Sequence, residues 1–397
     1  MEEWKEYRLG EIMEFNPKRN LRKNTIARKI TMDKLVPHSR DIYDWTYEPY
    51  SGGAKFQNGD TLMARITPCL ENGKQAYVSL LNEGETAFGS TEYIVICGRK
   101  GLCVNRFAYY LSLCPTFRNA AIKSMVGTSG RQRAQVDVLE NMVMRLPPVP
   151  VQLNIVHILS SLDDKIELNR KINSNLEEQA KALFKSWFID FEPFKGGKFV
   201  DSELGKIPEG WEVTTIGDVT ENIKEKVGNR NDIKVLSPIT SGQLVLSEDY
   251  FSKQVFSNSI AKYIVVKHND FAYNPARINI GSIGMSEFDF DGCVSPVYVV
   301  FRCQKGYEYF FDLYRRTIFF TEEVKKRAIG GVRQTLSYKD LSFIQLVYPP
   351  KKVIDAFNSI YISLIHTIHS NNASNKKLEA IRDSLLPKLM SGEIEVK

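Results

Sequence analysis

Two stretches of the chain carry hydrophobic residues at helical spacing, and each follows a Pro-Pro pair. In the first stretch the spaced positions step by four and three residues: Ile155, Leu159, Leu162, Ile166, Asn169, Asn173, Leu176, Ala180, Leu183 and Trp187. Adding 202 to each number gives a second series: Phe357, Tyr361, Leu364, Ile368, Asn371, Asn375, Leu378, Arg382, Leu385 and Leu389. This spacing is the heptad repeat of helices that bury one seam against another helix. It predicts a long helix over about residues 151–191 and another after Pro350, which Pro387 kinks or ends near its last turn.

The seam of each predicted helix contains two asparagines at the same two steps, Asn169 and Asn173 in the first and Asn371 and Asn375 in the second. Two arrangements fit this pattern. Either each helix lies on its own globular region, or the two helices pack antiparallel on each other about a pseudo-two-fold axis. In the second arrangement Asn169 faces Asn375 and Asn173 faces Asn371. Buried Asn pairs fix the register, because a slipped helix would leave an amide facing Leu or Ile. Arg382 is the one residue that fits the seam poorly.

The remainder of the chain alternates short strand-like runs with turn signals, and it is duplicated. The runs at 93–96 and 298–301 predict buried strands, and pairs such as Asn58-Gly59 and Asn72-Gly73 predict turns. Trp4 and Trp211 open similar motifs 207 residues apart, and Arg131-Gln132 recurs as Arg333-Gln334 at an offset of 202. The predicted segments are therefore a globular region at 1–148, a helix at 149–192, a second globular region at 193–348 and a second helix at 349–397. The fold class is α+β, with two similar α/β domains separated by two long antiparallel coiled-coil helices.

Composition excludes several classes of protein. The 397 residues carry 53 Lys and Arg against 47 Asp and Glu, and the net charge of +6 permits a polyanionic partner without requiring one. No apolar run reaches the ~18 residues of a membrane span, and the polar N-terminus does not resemble a signal peptide. The six cysteines form no C-x-x-C pair, which is typical of reduced thiols in a cytoplasmic protein.

Motifs that carry catalysis are not found. The sequence has no G-x-x-x-x-G-K-[ST] loop, no G-x-G-x-x-G and no G-x-S-x-G, and it has no Asn/Asp-Pro-Pro-aromatic tetrad of an amino-methyltransferase. His366 and His369 stand three apart on the second predicted helix, where a solvated face is a better interpretation than a metal site. We therefore expect no catalytic residue, no cofactor and no metal.

Two short segments have the composition of a DNA-contacting loop. They combine small residues with Arg and Gln, whose side chains make bidentate contacts to guanine and adenine. A plain turn that leads into a strand is the alternative interpretation. Arg65 and Arg277 follow recurring Asp-headed strings and either contact DNA or pair with a nearby carboxylate. The candidate DNA-binding residues are Arg65, Thr128, Ser129, Arg131, Gln132, Arg133, Arg277, Gly330, Gly331, Arg333 and Gln334.

These features together resemble the specificity (S) subunit of type I restriction–modification enzymes. Three strings carry the resemblance: Leu204-Gly-Lys-Ile-Pro-Glu-Gly-Trp211, Leu146-Pro-Pro-Val-Pro-Val-Gln152 and Leu385-Leu-Pro-Lys-Leu-Met-Ser-Gly-Glu-Ile394. They are similar to the family's start of a target-recognition domain, start of a spacer helix and C-terminal signature, and the likeness spans the whole chain. Gln152 departs from symmetry, since Ile354 occupies its position in the second copy.

The resemblance implies a non-catalytic subunit that binds double-stranded DNA. Each globular region would read one half of a bipartite site, and the helices would set the gap and dock two modification subunits. Those subunits hold S-adenosylmethionine and methylate adenine, and restriction subunits would join through this core. The seam spans 33 positions, or about 50 Å at ~1.5 Å per residue. Two other classes stay open at this point: a single-chain DNA methyltransferase or nuclease with an unrecognised motif, and a protein-only scaffold.

Overall fold

The computed structural model of the chain describes residues 4–251, 253–328 and 335–396. These residues form two compact units. The first joins Met1–Asn173 with His369–Lys397, and the second is Ser174–Ile368. Each unit therefore contains one globular region together with one end of each long helix.

The first globular region has ten strands and four α-helices within residues 4–148. In chain order they are β1 (Lys5–Arg8), α1 (Leu9–Ile12), β2 (Met13–Phe15), β3 (Ile26–Ile30), β4 (Thr46–Pro49), β5 (Lys55–Phe56), β6 (Thr61–Ala64), β7 (Gln75–Tyr77), β8 (Ala87–Gly89), β9 (Tyr93–Gly98), α2 (Asn105–Leu113), α3 (Pro115–Lys123), α4 (Val136–Glu140) and β10 (Val143–Leu146). The strand predicted at 93–96 is confirmed as part of β9, all of whose residues except Gly98 are buried.

Two four-stranded sheets and one strand pair organise this region. One sheet has the order β2-β9-β6-β7 and is antiparallel throughout. The other has the order β4-β3-β8-β5, in which β3 and β8 run parallel. Strands β1 and β10 pair antiparallel and so bring the start of the region beside its end, where the first long helix begins.

The first long helix, α5, runs from Val149 to Phe188. It begins at the first residue of the predicted segment 149–192, and Pro150 lies in its first turn, where a missing N–H costs no hydrogen bond. It ends before the predicted residue 191, and Phe191 has the left-handed backbone conformation with φ of 52°.

The second globular region repeats the plan of the first. Its elements are β11 (Phe199–Ser202), β12 (Gly205–Pro208), β13 (Glu212–Thr215), α6 (Ile216–Val219), β14 (Thr220–Ile223), β15 (Lys234–Pro238), β16 (Leu244–Leu246), α7 (Ser247–Tyr250), β17 (Ile264–Val266), β18 (Phe271–Tyr273), β19 (Ile283–Met285), β20 (Gly292–Val294), β21 (Val299–Cys303), α8 (Glu308–Tyr314), α9 (Ile318–Arg327), α10 (Tyr338–Ser342) and β22 (Gln345–Tyr348). The sheets β14-β21-β18-β19 and β16-β15-β20-β17 and the pair β13-β22 match those of the first region strand for strand. The parallel pair β15-β20 corresponds to β3-β8.

The duplicated N-terminal motif contains a glycine in both regions, and in both a neighbouring short helix leaves no room for a side chain there. Gly10 in α1 lies so close to α4 that a Cβ would stand 3.2 Å from the Glu140 carbonyl oxygen. Gly217 in α6 is equally close to α10, where a Cβ would meet the Cβ of Ser342 at 2.8 Å. A side chain at either position would push these paired short helices apart.

The second long helix, α11, runs from Lys351 to Ser391 and includes Pro387. It therefore continues beyond Pro387 for one further turn. Gly392 then adopts a left-handed conformation with φ of 77°, as is common just after a helix end.

In the first unit the two long helices pack antiparallel along their predicted seams. Asn169 donates from Nδ2 to Oδ1 of Asn375 at 2.8 Å, and Asn371 donates to Oδ1 of Asn173 at 2.8 Å. Asn173 also donates to Oδ1 of Asn372. These are the partners that the antiparallel arrangement requires, and Asn169 and Asn375 are buried.

The long helices also pack on the globular regions, but each helix contributes to both cores and does not lie on one region of its own. In the first unit Ile155, Leu159, Leu386, Leu389 and Met390 join the core of the first globular region. In the second unit Ala180, Phe184, Phe188, Phe357 and Tyr361 join the core of the second region. Each globular core is thus completed by the beginning of one helix and the end of the other.

Arg382, the poor fit in the seam, is a buried ion-pair partner. Its Nη1 lies 2.8 Å from Oδ1 of Asp163, and both side chains are less than a tenth exposed. Asp163 also accepts from the hydroxyl of Tyr110 at 2.7 Å. The charge inside the seam is therefore neutralised and hydrogen-bonded, as a buried charge requires.

The asymmetry at Gln152 is compensated one helical turn later in the second copy. Gln152 is buried at the start of α5, where it accepts from the Val104 N–H and donates to the carbonyl of Leu102. In α11 it is Asn358 that donates to the corresponding loop, at the carbonyl of Gly306. Both helix starts are therefore tied to a neighbouring loop by an amide side chain.

Candidate nucleic-acid interface

The candidate loop of the first region is a hairpin between α3 and α4. Val126 and Arg133 exchange two backbone hydrogen bonds, and the N–H of Arg131 donates to the carbonyl of Thr128 at 2.9 Å to close the tip. Gly127 and Gly130 have φ of 138° and 77°, conformations that glycine adopts without strain. The small residues of the motif therefore build a tight projecting turn.

The hairpin is pinned to the loop that follows β6. Thr67 donates its N–H to the Gln132 carbonyl at 3.0 Å, and its hydroxyl accepts from the Gln132 N–H at 3.1 Å. Residues 127–131 at the tip are all exposed, and these include Thr128, Ser129 and Arg131. The tip thus presents polar side chains and a guanidinium from a fixed base.

Arg133 makes a bidentate ion pair with Glu92 at the base of the hairpin. Its Nη2 lies 2.7 Å from Oε1 of Glu92, and its Nε lies 2.9 Å from Oε2. The contact holds the pKa of Glu92 below its ordinary value, so this carboxylate is ionised at neutral pH. Arg133 is therefore paired with a carboxylate, and the sequence analysis did not predict this partner.

Arg65 lies beside the same hairpin and is half-buried. Its Nη2 donates to the carbonyl of Ala134 at 3.2 Å, and its backbone N–H donates to the carbonyl of Glu92. The structure therefore brings Arg65, Arg131, Gln132 and Arg133 of the first region together. Arg65 contacts the framework, whereas Arg131 is exposed.

In the second region only part of the prediction falls on described residues. Gly330, Gly331, Arg333 and Gln334 lie outside them. Arg277 is exposed at the start of a short 3-10 turn, Ile278–Ile280.

Arg277 is not the counterpart of Arg65, and the alignment of their two strings was wrong by two residues. The Arg65 carbonyl accepts from the Ala134 N–H, and its equivalent, the Pro275 carbonyl, accepts from Leu336. The loop after β18 places its Arg two residues further along the chain than the loop after β6 does. Sequence spacing alone therefore equated Arg277 with Arg65 incorrectly.

The two Asp-headed strings do share one structural device. Asp60 and Asp270 are buried, and each accepts a backbone N–H three residues earlier, from Gln57 and Lys267. Arg19 pairs with Asp60 at 2.7 Å, whereas Arg302 pairs with Asp270 at 2.6 Å. The same carboxylate site is thus neutralised from different chain positions, and neither partner is the Arg of the string.

Glu92 is the contact residue of this surface that the sequence analysis missed. It directly precedes β9 and gives no sign by itself, since a lone Glu next to a strand is commonplace. Only the fold brings it beside Arg133, 41 residues later. Its counterpart in the second region is Val297, as the pairing of β2 with β9 and of β14 with β21 shows.

No group of three or more His, Cys, Asp or Glu among the described residues is placed to hold a metal ion. Nor is any helix of those residues sufficiently long and apolar to cross a membrane.

Comparison with known proteins shows which family the chain resembles. Residues 1–178 match the family model described as the type I restriction modification DNA specificity domain. The specificity subunit of the type I restriction enzyme HindI from Haemophilus influenzae is 24% identical, and the alignment covers 99% of this chain and all of the relative. The chain is similar to the type I restriction enzyme specificity subunits. The matching model describes a DNA specificity domain, and the relatives are named specificity subunits.

Two further comparisons agree with this likeness. The MjaIX specificity subunit of Methanocaldococcus jannaschii is 28% identical over 305 residues, which are 74% of this chain and 70% of that one. The crystal structure of a type I restriction–modification S subunit from M. genitalium has a TM-score of 0.58 at 14% identity and covers 98% of this chain and 96% of that chain. The structural likeness extends the shared fold beyond residue 178 to both copies.

Proposed function

We propose that the chain is a specificity subunit that reads a two-part DNA sequence, one half with each globular region. The observation that carries the proposal is the duplicated strand order, on which the two copies display different loop residues. In the first region the exposed side chains of Thr128, Ser129 and Arg131 project from a pinned hairpin. Two similar frameworks that carry loops of different sequence suit the recognition of two different half-sites.

The helix pair would set the number of unread base pairs between the halves. The Asn169–Asn375 and Asn371–Asn173 hydrogen bonds support this role, because a shifted register would leave buried amides without partners. A seam of about 50 Å corresponds to ~15 base pairs, an upper scale for the separation of the read segments.

The same helices would dock two modification subunits, and restriction subunits would join through that core in the cytoplasm. Exposed apolar side chains on the long helices support a protein partner there. They are Leu153, Leu168, Ile172, Ile360, Ile362 and Ile381, each between 36% and 51% exposed. Methylation and cleavage would belong to these partners, so the purified chain alone should do neither.

Substitution of Arg131 tests the reading role. The complex with modification subunits is supplied with S-adenosylmethionine, and methylated sites are mapped across a genome. We expect the parent to show a two-part motif with a fixed gap. Arg131→Ala should relax one half and leave the other intact, since a bidentate base contact contributes about 1–3 kcal/mol of discrimination. Arg333→Ala should relax the other half. Uniform weakening by both changes would make these residues phosphate contacts instead.

Lengthening the helices tests the gap. Seven residues inserted at Lys171 in α5 and at Ala373 in α11 preserve the heptad pattern and add about 10 Å. The gap in the methylated motif should grow by about three base pairs at ~3.4 Å each. An insertion in one helix alone is the control, because it breaks the pairing of the seams. An unchanged gap in the double insertion would contradict the proposal.

A further inference from the structure

The ion pair between Glu92 and Arg133 marks a position where the two copies differ. Ala134 and Leu336 are equivalent through their backbone bonds to Arg65 and Pro275. Arg133 is therefore equivalent to Thr335. The Glu92–Arg133 pair of the first region is replaced by Val297 and Thr335 in the second, and Val297 is 71% exposed.

Beside this difference the two copies also share residues. Arg131-Gln132 of the first copy is repeated as Arg333-Gln334 in the second sequence. Two regions that read different half-sites must differ where they contact bases, and they can agree where they contact the phosphate backbone, which carries no sequence information. The unshared ion pair is therefore a position, in addition to Arg131, where the first region can prefer bases that the second does not.

The Arg133 guanidinium is fixed by its ion pair, but not all of its hydrogen-bond donors are occupied. An arginine has five N–H donors. One on Nε and one on Nη2 go to Glu92, and one on Nη1 goes to the Arg131 carbonyl at 3.3 Å. Two donors, one on each Nη atom, then have no partner among the residues that the structure describes. The Arg133 side chain is 42% exposed.

The remaining donors, one on each Nη atom, equal in number the O6 and N7 acceptors that guanine presents in the major groove. A carboxylate that fixes the guanidinium in advance lowers the entropy lost on binding and sharpens discrimination. We propose that Glu92 is a positioning residue that presents Arg133 to a guanine in the half-site read by the first globular region. This assignment rests on the proposed function.

Three variants of the full complex with modification subunits test this assignment by methylation of a randomised DNA library. Glu92→Gln keeps the shape of the side chain but removes the charge that holds Arg133. We expect its preference for guanine at one position of one half-motif to fall about 10-fold. The other half-motif, and the thermal unfolding midpoint to within a few degrees, should not change.

The charge-swapped double variant separates reading from folding. Glu92→Arg with Arg133→Glu restores an ion pair at the same place, yet it presents an acceptor where the parent presents donors. A glutamate acceptor favours the N4 amino group of cytosine. We expect this variant to lose the guanine preference and to shift towards cytosine, even though the pair is restored.

Glu48→Gln is the matched control, because Glu48 pairs with Lys29 at 2.8 Å elsewhere in the same region. It should leave both half-motifs as in the parent. If Glu92→Gln and the swapped variant both retain the parent motif within twofold discrimination, the ion pair is only structural and the assignment is wrong. If the parent complex shows no two-part motif, the proposed function fails and this assignment fails with it.

Discussion

The two ends of the long-helix pair occupy equivalent positions of the repeat but differ in chemistry. In the second unit five helix residues in or against the core are aromatic: Phe184, Trp187, Phe188, Phe357 and Tyr361. Subtracting or adding 202 gives their equivalents in the first unit, which are aliphatic: Leu386, Leu389, Met390, Ile155 and Leu159. The ring centroid of Phe188 lies within 6.3 Å of the ring centroids of five aromatic residues: Phe184, Trp187, Trp211, Phe310 and Phe357.

In the first unit charged side chains form a network that includes positions where the second unit has apolar residues. Asp163 pairs with Arg382, whereas the equivalent positions of the second unit hold Ile365 and Ala180. One residue further along α5, Asp164 accepts from Arg40 of the first globular region at 2.5 Å. Arg170 bridges Glu167 at 2.7 Å and Glu379 of α11 at 3.0 Å. Charges therefore tie α5, α11 and the globular region together at this end.

The difference teaches that one repeated packing problem has two solutions. Aromatic rings bury a large apolar area and gain from edge-to-face contact. A buried ion pair contributes little net stability because of desolvation, but its loss on one side leaves a costly unpaired charge. The aromatic end is therefore expected to depend on volume, and the charged end on the completeness of its pairs.

Truncation of Phe188 should have the largest effect. Phe188→Ala leaves a cavity among five rings and is expected to cost about 3–5 kcal/mol. Hydrogen–deuterium exchange resolved by peptide should show the loss within residues 174–368. Met390→Ala is the matched control at the equivalent position of the first unit and should cost less, about 2–3 kcal/mol. Equal losses at both positions would mean that the aromatic cluster adds nothing beyond ordinary burial.

Removal of Arg382 should have the next largest effect. Arg382→Ala leaves Asp163 buried without its ion-pair partner, at a cost of about 3 kcal/mol. The double variant Asp163→Ile with Arg382→Ala recreates the residues of the second unit, Ile365 and Ala180. It should recover more than half of the lost free energy of unfolding, as measured by urea unfolding. A triple variant that adds Tyr110→Phe also removes the hydroxyl that donates a hydrogen bond to Asp163 in the parent. No recovery in either variant would show that the charged network is not interchangeable with apolar packing.

The sequence predicted much of this fold because periodicity reports burial. The heptad spacing located α5 and α11 and paired Asn169 with Asn375, because the seam positions of a heptad repeat face the partner helix. Duplication predicted the second globular region from the first. Contacts between distant positions were not predictable, because Glu92 meets Arg133, and Arg40 meets Asp164, only after the chain folds.

The candidate site was predictable in composition but not in role. Small residues with Arg and Gln identified the hairpin of residues 126–133. Which guanidinium is exposed and which is held by a carboxylate depends on three-dimensional neighbours. The prediction that Arg65 and Arg277 are equivalent was wrong for a related reason. A loop insertion shifts the spacing of the Arg, but it leaves unchanged the backbone hydrogen bond that Arg65 and Pro275 both make.

The smallest expected effect is a pH dependence at the charged end, centred on Glu167. Its carboxylate is 5% exposed and faces Arg170, the Tyr43 hydroxyl, Arg40 and Asp41. Burial raises the pKa of Glu167 above its ordinary value, despite the opposing contact with Tyr43. A carboxyl group with a raised pKa contributes stability below its ordinary pKa and loses that contribution as the pH rises through the raised value.

Glu167→Gln removes this titration, so the free energy of unfolding of the variant, relative to the parent, should increase from pH 4 to pH 7. Glu48→Gln provides a control of opposite sign, because the contact with Lys29 lowers the pKa of Glu48. That group contributes stability above its ordinary pKa, so the relative stability of its variant should fall over the same range. Urea unfolding at several pH values measures both differences. Parallel curves for the two variants would show that burial of Glu167 does not control its ionisation, and that the charged end differs from the aromatic end in packing alone.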